Sequence, residues 1–275
     1  MTAVRRQFPI AAAFILITGA AILLSSCSAS KSAEEPMTAE GQFARAMKEF
    51  NDEKYLDAIE AFKTITVQYQ GSGVADAAQF YIGESRFNRG EYILAAAEYD
   101  MLIRSMPSSK YIPTARYKRA LAYYEMSPKS QLDQKYTRLA IDDFQTFLEY
   151  APNDSLAKDA DAKVRELTDK LARKIFESGR LYFRREYYKA AIVYFDNVID
   201  QYHDTRYADQ AMYWKARAQR ERREYDASLR TLDQLFEKFP STSLKDDAQS
   251  LRKEVERLKL LPAEGSGAGK SDGAL

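Results

Sequence analysis

Five small residues set the frame of this chain. Ala58, Ala95, Ala140, Ala191 and Ser228 are separated by 37, 45, 51 and 37 positions. Four residues after each stands a large apolar side chain (Phe62, Tyr99, Phe144, Phe195, Leu232), and seven after each another (Ile65, Leu102, Phe147, Val198, Leu235). Those offsets put the apolar groups on one face of an α-helix. A proline follows twelve residues on in three units (Pro107, Pro152, Pro240), with Gln70 and His203 in the other two. Proline past the end of a helix stops it. Two units also carry a glycine in their first half, Gly83 and Gly179. Small residues at such places let two helices approach closely. A unit of this size cannot bury its own apolar face, so neighbouring units must stack.

The spacing resembles the tetratricopeptide repeat. It predicts an all-α chain, an α-solenoid of five helix pairs and about ten helices. Only 11 Gly and 8 Pro in 275 residues fit helices better than a many-turned β protein. The two longer intervals differ in kind. The eight extra residues of repeat three fall in Met126–Gln134, where Ser127-Pro128 and a polar cluster read as a loop. The fourteen extra residues before Gly179 lie in 155–185, which lacks proline and reads as one long helix capped by Asp154. Fourteen residues at 1.5 Å each lengthen a helix by about 20 Å while keeping roughly the same face. Such an arm is either a docking place for another subunit or a packing brace. The expected division is 38–114 for repeats one and two, 115–159 for repeat three, 160–261 for repeats four and five, and 262–275 for a Gly-rich disordered tail.

The first 26 residues belong to a different logic. Arg5 and Arg6 precede an apolar run from Phe8 to Leu24, and Ser25-Ser26 lead to Cys27, the single cysteine. A basic start, a short apolar stretch and a small-residue exit read as a secretory signal covering 1–26. A retained membrane helix is the alternative, but the run is at the low edge of spanning length. Leu24-Ser25-Ser26-Cys27 resembles the bacterial lipobox, which implies lipid attachment to the Cys27 sulfur after cleavage. Several acyl chains anchor stably where one does not. Ser28 follows Cys27, which under the usual sorting rule implies the outer membrane, and 27–37 would serve as lipidated start and tether. Loss of Arg5 and Arg6 with the leader changes the net charge from +1 to −1.

That balance carries no polyanion signature, so nucleic acid is not an expected partner. One cysteine makes no internal disulfide and no zinc site. The single histidine, His203, falls at a turn. There is no phosphate-binding glycine loop, nucleophile elbow or metal-ligand spacing, and carboxylates interleave with Lys and Arg as on solvated faces. No enzyme activity, metal or cofactor is expected.

A binding groove is the remaining candidate. In tetratricopeptide superhelices the first helices of the pairs line the inner surface. Transferring those inward positions gives Phe43, Met47, Phe50, Phe80, Glu84, Phe87, Asn88, Tyr117, Tyr124 and Glu125. Six are aromatic and could grip an extended peptide, each ring gaining roughly 1.5–3 kcal/mol when fully buried. The competing reading is that the rings pack between neighbouring helices. A second candidate is the basic run Lys215, Arg217, Arg220, Arg222 and Arg223, either a solvated face or a dock for an acidic partner.

The lipobox, the five repeats, the segment 68–121 with Tyr117-Lys118-Arg119-Ala120-Leu121, and the loop-bearing stretch 123–147 together resemble the BamD family. These are lipoprotein subunits of the outer-membrane β-barrel assembly machinery. The resemblance implies that the N-terminal repeats receive C-terminal segments of unfolded outer-membrane proteins. It also implies that the C-terminal repeats hold the central BamA-like barrel subunit. Tyr194 stands where a basic contact would be sought. Another periplasmic adaptor with these repeats, a coordinator of the Tol-Pal system, is the alternative. That family usually carries a coiled coil ahead of the repeats and lacks a lipobox.

Overall fold

The computed structural model describes residues 37–261. The leader, Cys27 and the 262–275 tail lie outside the described residues. Eleven helices fill the described chain: α1 (Ala39–Asn51), α2 (Tyr55–Gln68), α3 (Ala75–Asn88), α4 (Tyr92–Ser105), α5 (Ile112–Glu125), α6 (Lys135–Tyr150), α7 (Ala157–Arg184), α8 (Tyr188–Gln201), α9 (Ala208–Glu221), α10 (Tyr225–Lys238) and α11 (Lys245–Leu260). Each packs against the next, giving a tetratricopeptide solenoid of five pairs and one further helix.

The small-residue register explains the pairs. Ala58, Ala95, Ala140 and Ala191 are fully buried, as are the rings Phe62, Tyr99, Phe144 and Phe195. The facing position on the first helix is also small: Ala46, Gly83, Ala120, Gly179 and Ala216. A Cβ on Gly83 would come 2.5 Å from a carbon of the Tyr99 ring, and one on Gly179 2.7 Å from Phe195. There the glycine is required by close approach.

In four pairs only three residues join the helices, and the middle one is left-handed: Glu53 (φ 60°), Gly90 (73°), Glu186 (62°) and Arg223 (61°). Lys54 N donates to Glu49 O at 2.9 Å, and Glu91 N to Arg86 O at 3.0 Å, closing the helix end in a Schellman turn. A second series marks the turns between repeats. Ser109, Asp154 and Thr242 each accept from the backbone N–H two residues on, at 3.1, 2.9 and 3.2 Å.

The two insertions are one structure. The 126–134 loop lies along α7. Lys170 Nζ donates to Ser127 Oγ at 2.9 Å, and Lys174 Nζ to the Leu132 carbonyl at 2.5 Å. Gln134, buried at the loop's end, donates to the carbonyls of Lys129 and Leu132. The long helix begins at Ala157 rather than Ser155, and Asp154 holds the turn before it by accepting from Leu156 N.

The eleventh helix was absent from the expected count. It closes the last pair with Ala248, Leu251 and Val255, packed on Met212, Leu232 and Leu235. The first half of α7 does the same for repeat three, with Ala160 and Leu167 against Tyr117, Phe144 and Phe147. The apolar marks stand seven apart in both. So α7 is a capping helix fused end-on to the first helix of repeat four. Solenoid ends need such a cap because the last apolar face has no neighbour.

Candidate functional site

The first helices of the pairs present two unlike surfaces. In the N-terminal repeats the row is aromatic and internally neutralised. Tyr81, which the sequence reading did not single out, is its hub. Its ring centroid lies 6.1 Å from Phe43, 5.2 Å from Phe50, 5.7 Å from Phe62 and 5.6 Å from Phe80. Burial pushes its phenol upward. The adjacent aromatics Phe80-Tyr81 were the available signal.

Of the transferred groove positions, Phe80 and Tyr117 are each only 7% exposed. Phe80 stacks on Tyr111 at 4.8 Å, and Tyr117 meets Phe144 and Phe147 edge-on. These two rings are core, not wall, because the inter-repeat turn and α7 close over them. Phe43, Met47, Phe50, Phe87 and Tyr124 stay half-buried, while Asn88 and Glu125 are exposed. Phe87 stands edge-on to Tyr92, with Lys118 Nζ 5.3 Å from its centroid.

Glu84, Tyr117 and Tyr124 of this row have polar partners. Glu84 accepts from the Tyr99 hydroxyl at 2.5 Å and from Lys118 Nζ at 2.8 Å. Arg119 donates twice to Asp143 at 2.7 Å and once to Asp100 at 2.6 Å, joining α4, α5 and α6. Burial raises the Asp143 carboxyl, against the downward pull of Arg119. Tyr117 and Tyr124 donate to Asp159 and Glu166 on α7. The Tyr124 phenol is pushed up to about 12, by burial first and then by Glu166.

The basic run at the end of α9 and in the turn after it does not form one patch. Lys215 pairs with Asp196 at 2.6 Å, Arg220 with Glu254 and Glu221, and Arg222 with Glu224 at 2.7 Å. Arg223 is the exposed left-handed residue of the turn. Arg217 lies on rings: its guanidinium carbon is 4.3 Å from the Trp214 centroid and 5.4 Å from Phe183. Arg180 of α7, missed in the sequence, joins it 3.7 Å from the same indole. The signal was the period, since Arg180 and Arg217 stand 37 residues apart.

An exposed aromatic patch lies where α7 turns into α8. Tyr182 stacks on Tyr194 at 5.1 Å, and Tyr187 and Val193 are 62% and 63% exposed. Tyr182, Tyr187 and Val193 border an open cavity of about 700 Å³ with Glu186, Tyr188 and Arg222. No described helix is long and apolar enough to cross a membrane, and the described residues hold no cluster of His, Cys, Asp and Glu fit for a metal.

The stacked helix pairs define a helical-repeat protein of the tetratricopeptide class. The family model YfiO, an outer membrane lipoprotein, matches residues 35–227, and the chain belongs to that family. It is 32% identical over 160 residues to the outer membrane protein assembly factor BamD of Rickettsia prowazekii, covering 58% of this chain and 64% of that one. Against BamD of Caulobacter vibrioides it is 26% identical, covering 57% of this chain and 52% of the relative. Against BamD of Neisseria meningitidis serogroup B it is 23% identical over 214 residues, covering 72% and 80%. The match thus spans less than two thirds of the first two relatives' own length.

Proposed function

We propose that this chain is a lipid-anchored outer-membrane scaffold of the β-barrel assembly complex, acting by binding rather than catalysis. The family match over 35–227 carries the reading. The shared name of the relatives, outer membrane protein assembly factor BamD, gives the assembly role its content. The half-buried rings Phe43, Phe50, Phe87 and Tyr124 support a site for C-terminal segments of unfolded outer-membrane proteins, which would cover apolar faces. The open tyrosine patch of Tyr182, Tyr187 and Tyr194 suits a stable protein neighbour, the central BamA-like subunit, better than the basic α9 run does. Cys27 in its lipobox supports an anchor that holds the solenoid at the periplasmic face. The Tol-Pal alternative gains nothing from the relatives' names.

Affinity purification of the full tagged chain from detergent-solubilised membranes tests this. Recovery of a large β-barrel protein, lost on Tyr187→Asp with Val193→Asp, supports the reading. Recovery of Pal-type proteins alone overturns it. An alkyne palmitate analogue should label the wild type and not Cys27→Ser; label persisting on the variant removes the anchor.

A further inference from the structure

Arg180 and Arg217 occupy one register position in successive repeats and share one indole. Neither is ion-paired among the described residues, although most cations around them are. Arg184, exposed one turn beyond Arg180, is likewise without a carboxylate. Arg180 Nε is sealed from solvent and finds no acceptor. Burial, then the charges of Arg184 and Arg217, pull the Arg180 guanidinium below its ordinary range. Three like charges are therefore held together without compensation. Beside them opens a cavity of about 430 Å³ bordered by Arg173, Phe176, Arg180, Arg184 and Tyr207. Its one acid, Glu177, is taken by Arg173 at 2.6 Å.

Arg180 buries only its Nε, so its terminal nitrogens remain for a partner, and a guanidinium edge of that kind matches a planar carboxylate in bidentate fashion. A carboxylate entering here would also relieve the mutual repulsion of the three arginines. The cavity is a recess between α7 and Tyr207 at the start of α9, which a chain can enter and a flat bilayer cannot. The near-neutral net charge of +1 fits no broad attraction to polyanions. We infer that the Arg180–Arg217–Trp214 cluster, with Arg184, is a binding site for an acidic extended segment of a partner protein, read through its carboxylates. This site is separate from the aromatic row and the tyrosine patch, and it does not depend on the assembly role.

Trp214 is the only tryptophan of the chain, so its fluorescence reports this site alone. The full chain in non-ionic detergent is titrated with a ten-residue Asp/Glu peptide, an Asn/Gln peptide of the same length, inorganic phosphate and phosphatidylglycerol vesicles. The acidic peptide should shift Trp214 emission saturably, and added salt should weaken it because the contacts are Coulombic. R180Q/R217Q should weaken binding at least about tenfold and R184Q about threefold, as charge-assisted contacts are lost. Circular dichroism checks each variant's fold. If the double variant does not fold, R184Q and the salt series decide. Equal response to the neutral peptide, unchanged affinity in the folded variants, or a response to vesicles or phosphate but not to peptide each overturns the inference.

Discussion

The chain holds two blocks built on one plan. Repeats one to three end in the first half of α7, and repeats four and five end in α11. Small residue, ring and cap recur in both, yet their cations are treated differently. In the first block Arg86 pairs with Glu91 and Glu98, Lys118 with Glu84, and Arg119 with Asp100 and Asp143. In the second, Arg180 and Arg217 lie on Trp214 without a carboxylate. The same register position therefore carries Glu84, paired with Lys118, in one block and the uncompensated Arg180 and Arg217 in the other. The charge that a repeat presents is set by which register positions carry a counter-charge, not by the fold.

Removing one cation from each block breaks or sharpens this contrast most directly. Arg119→Ala leaves Asp143, whose side chain is 15% exposed, without its partner. Stripping a mostly buried pair of one member costs about 3 kcal/mol. Arg180→Gln removes a charge that nothing neutralises, and its effect should stay within about 1 kcal/mol, the worth of its contact with the indole. Urea unfolding followed by far-UV circular dichroism measures both. Equal losses would show that Arg180 is as structural as Arg119.

The plan common to both blocks is tested by Gly83→Ala and Gly179→Ala. Each puts a methyl within 2.5–2.7 Å of a fully buried ring. Overpacking of that kind costs about 2 kcal/mol. The same denaturation curves read it, and the two losses should agree because Tyr99 and Phe195 hold equivalent places. A loss at only one site would mean that the two helix crossings are not alike.

The blocks should also separate at high pH. Burial, helped by Glu84, Asp159 and Glu166, raises the phenols of Tyr99, Tyr117 and Tyr124, all in the first block. An unfolded tyrosine ionises near pH 10. Stability from these groups is whole below about pH 10 and falls as pH rises toward 12, since only the unfolded chain sheds the protons readily. In the second block Tyr194, raised mainly by neighbouring Tyr182, and Tyr188, raised by burial and then by Glu221 and Glu186, are the raised phenols, and neither is fully buried. Between pH 10 and 12 helical signal should therefore fall before Trp214 fluorescence changes. Simultaneous loss would make the solenoid one cooperative unit.

Much of this was legible in the sequence. The small residues, the rings four and seven positions later and the 45- and 51-residue intervals specify five pairs and locate both insertions. Ala160/Leu167 and Ala248/Val255 escaped because a cap lacks the small-residue and ring marks of a repeat, although both follow a turn carrying Asp154 or Thr242. The aromatic row was legible as a row but not by depth. Whether Phe80 or Phe87 is reachable depends on Tyr111 covering one and not the other, a contact from a turn the register does not describe. Arg180 was hidden for a different reason. Its partner Arg217 is 37 residues away, and a basic cluster sought along one helix cannot reveal a pair formed between two.

The smallest expected effect lies in the turns within the pairs, where the blocks are again alike. Glu53, Glu186 and Arg223 take the left-handed conformation that Gly90 takes in repeat two. A side chain there costs about 1 kcal/mol, and glycine returns most of it less its greater freedom in the unfolded chain. Glu186→Gly and Arg223→Gly should each stabilise by about 0.5 kcal/mol, and Gly90→Ala should destabilise by about 1 kcal/mol, in thermal unfolding. Arg223→Gly is the more informative of the two. It deletes an exposed charge of the α9 basic run while leaving the Arg180–Arg217 cluster intact. A gain in stability with unchanged response of Trp214 to an acidic peptide would assign Arg223 to the turn and leave anion recognition to the cluster. Loss of that response would extend the binding surface to the end of α9.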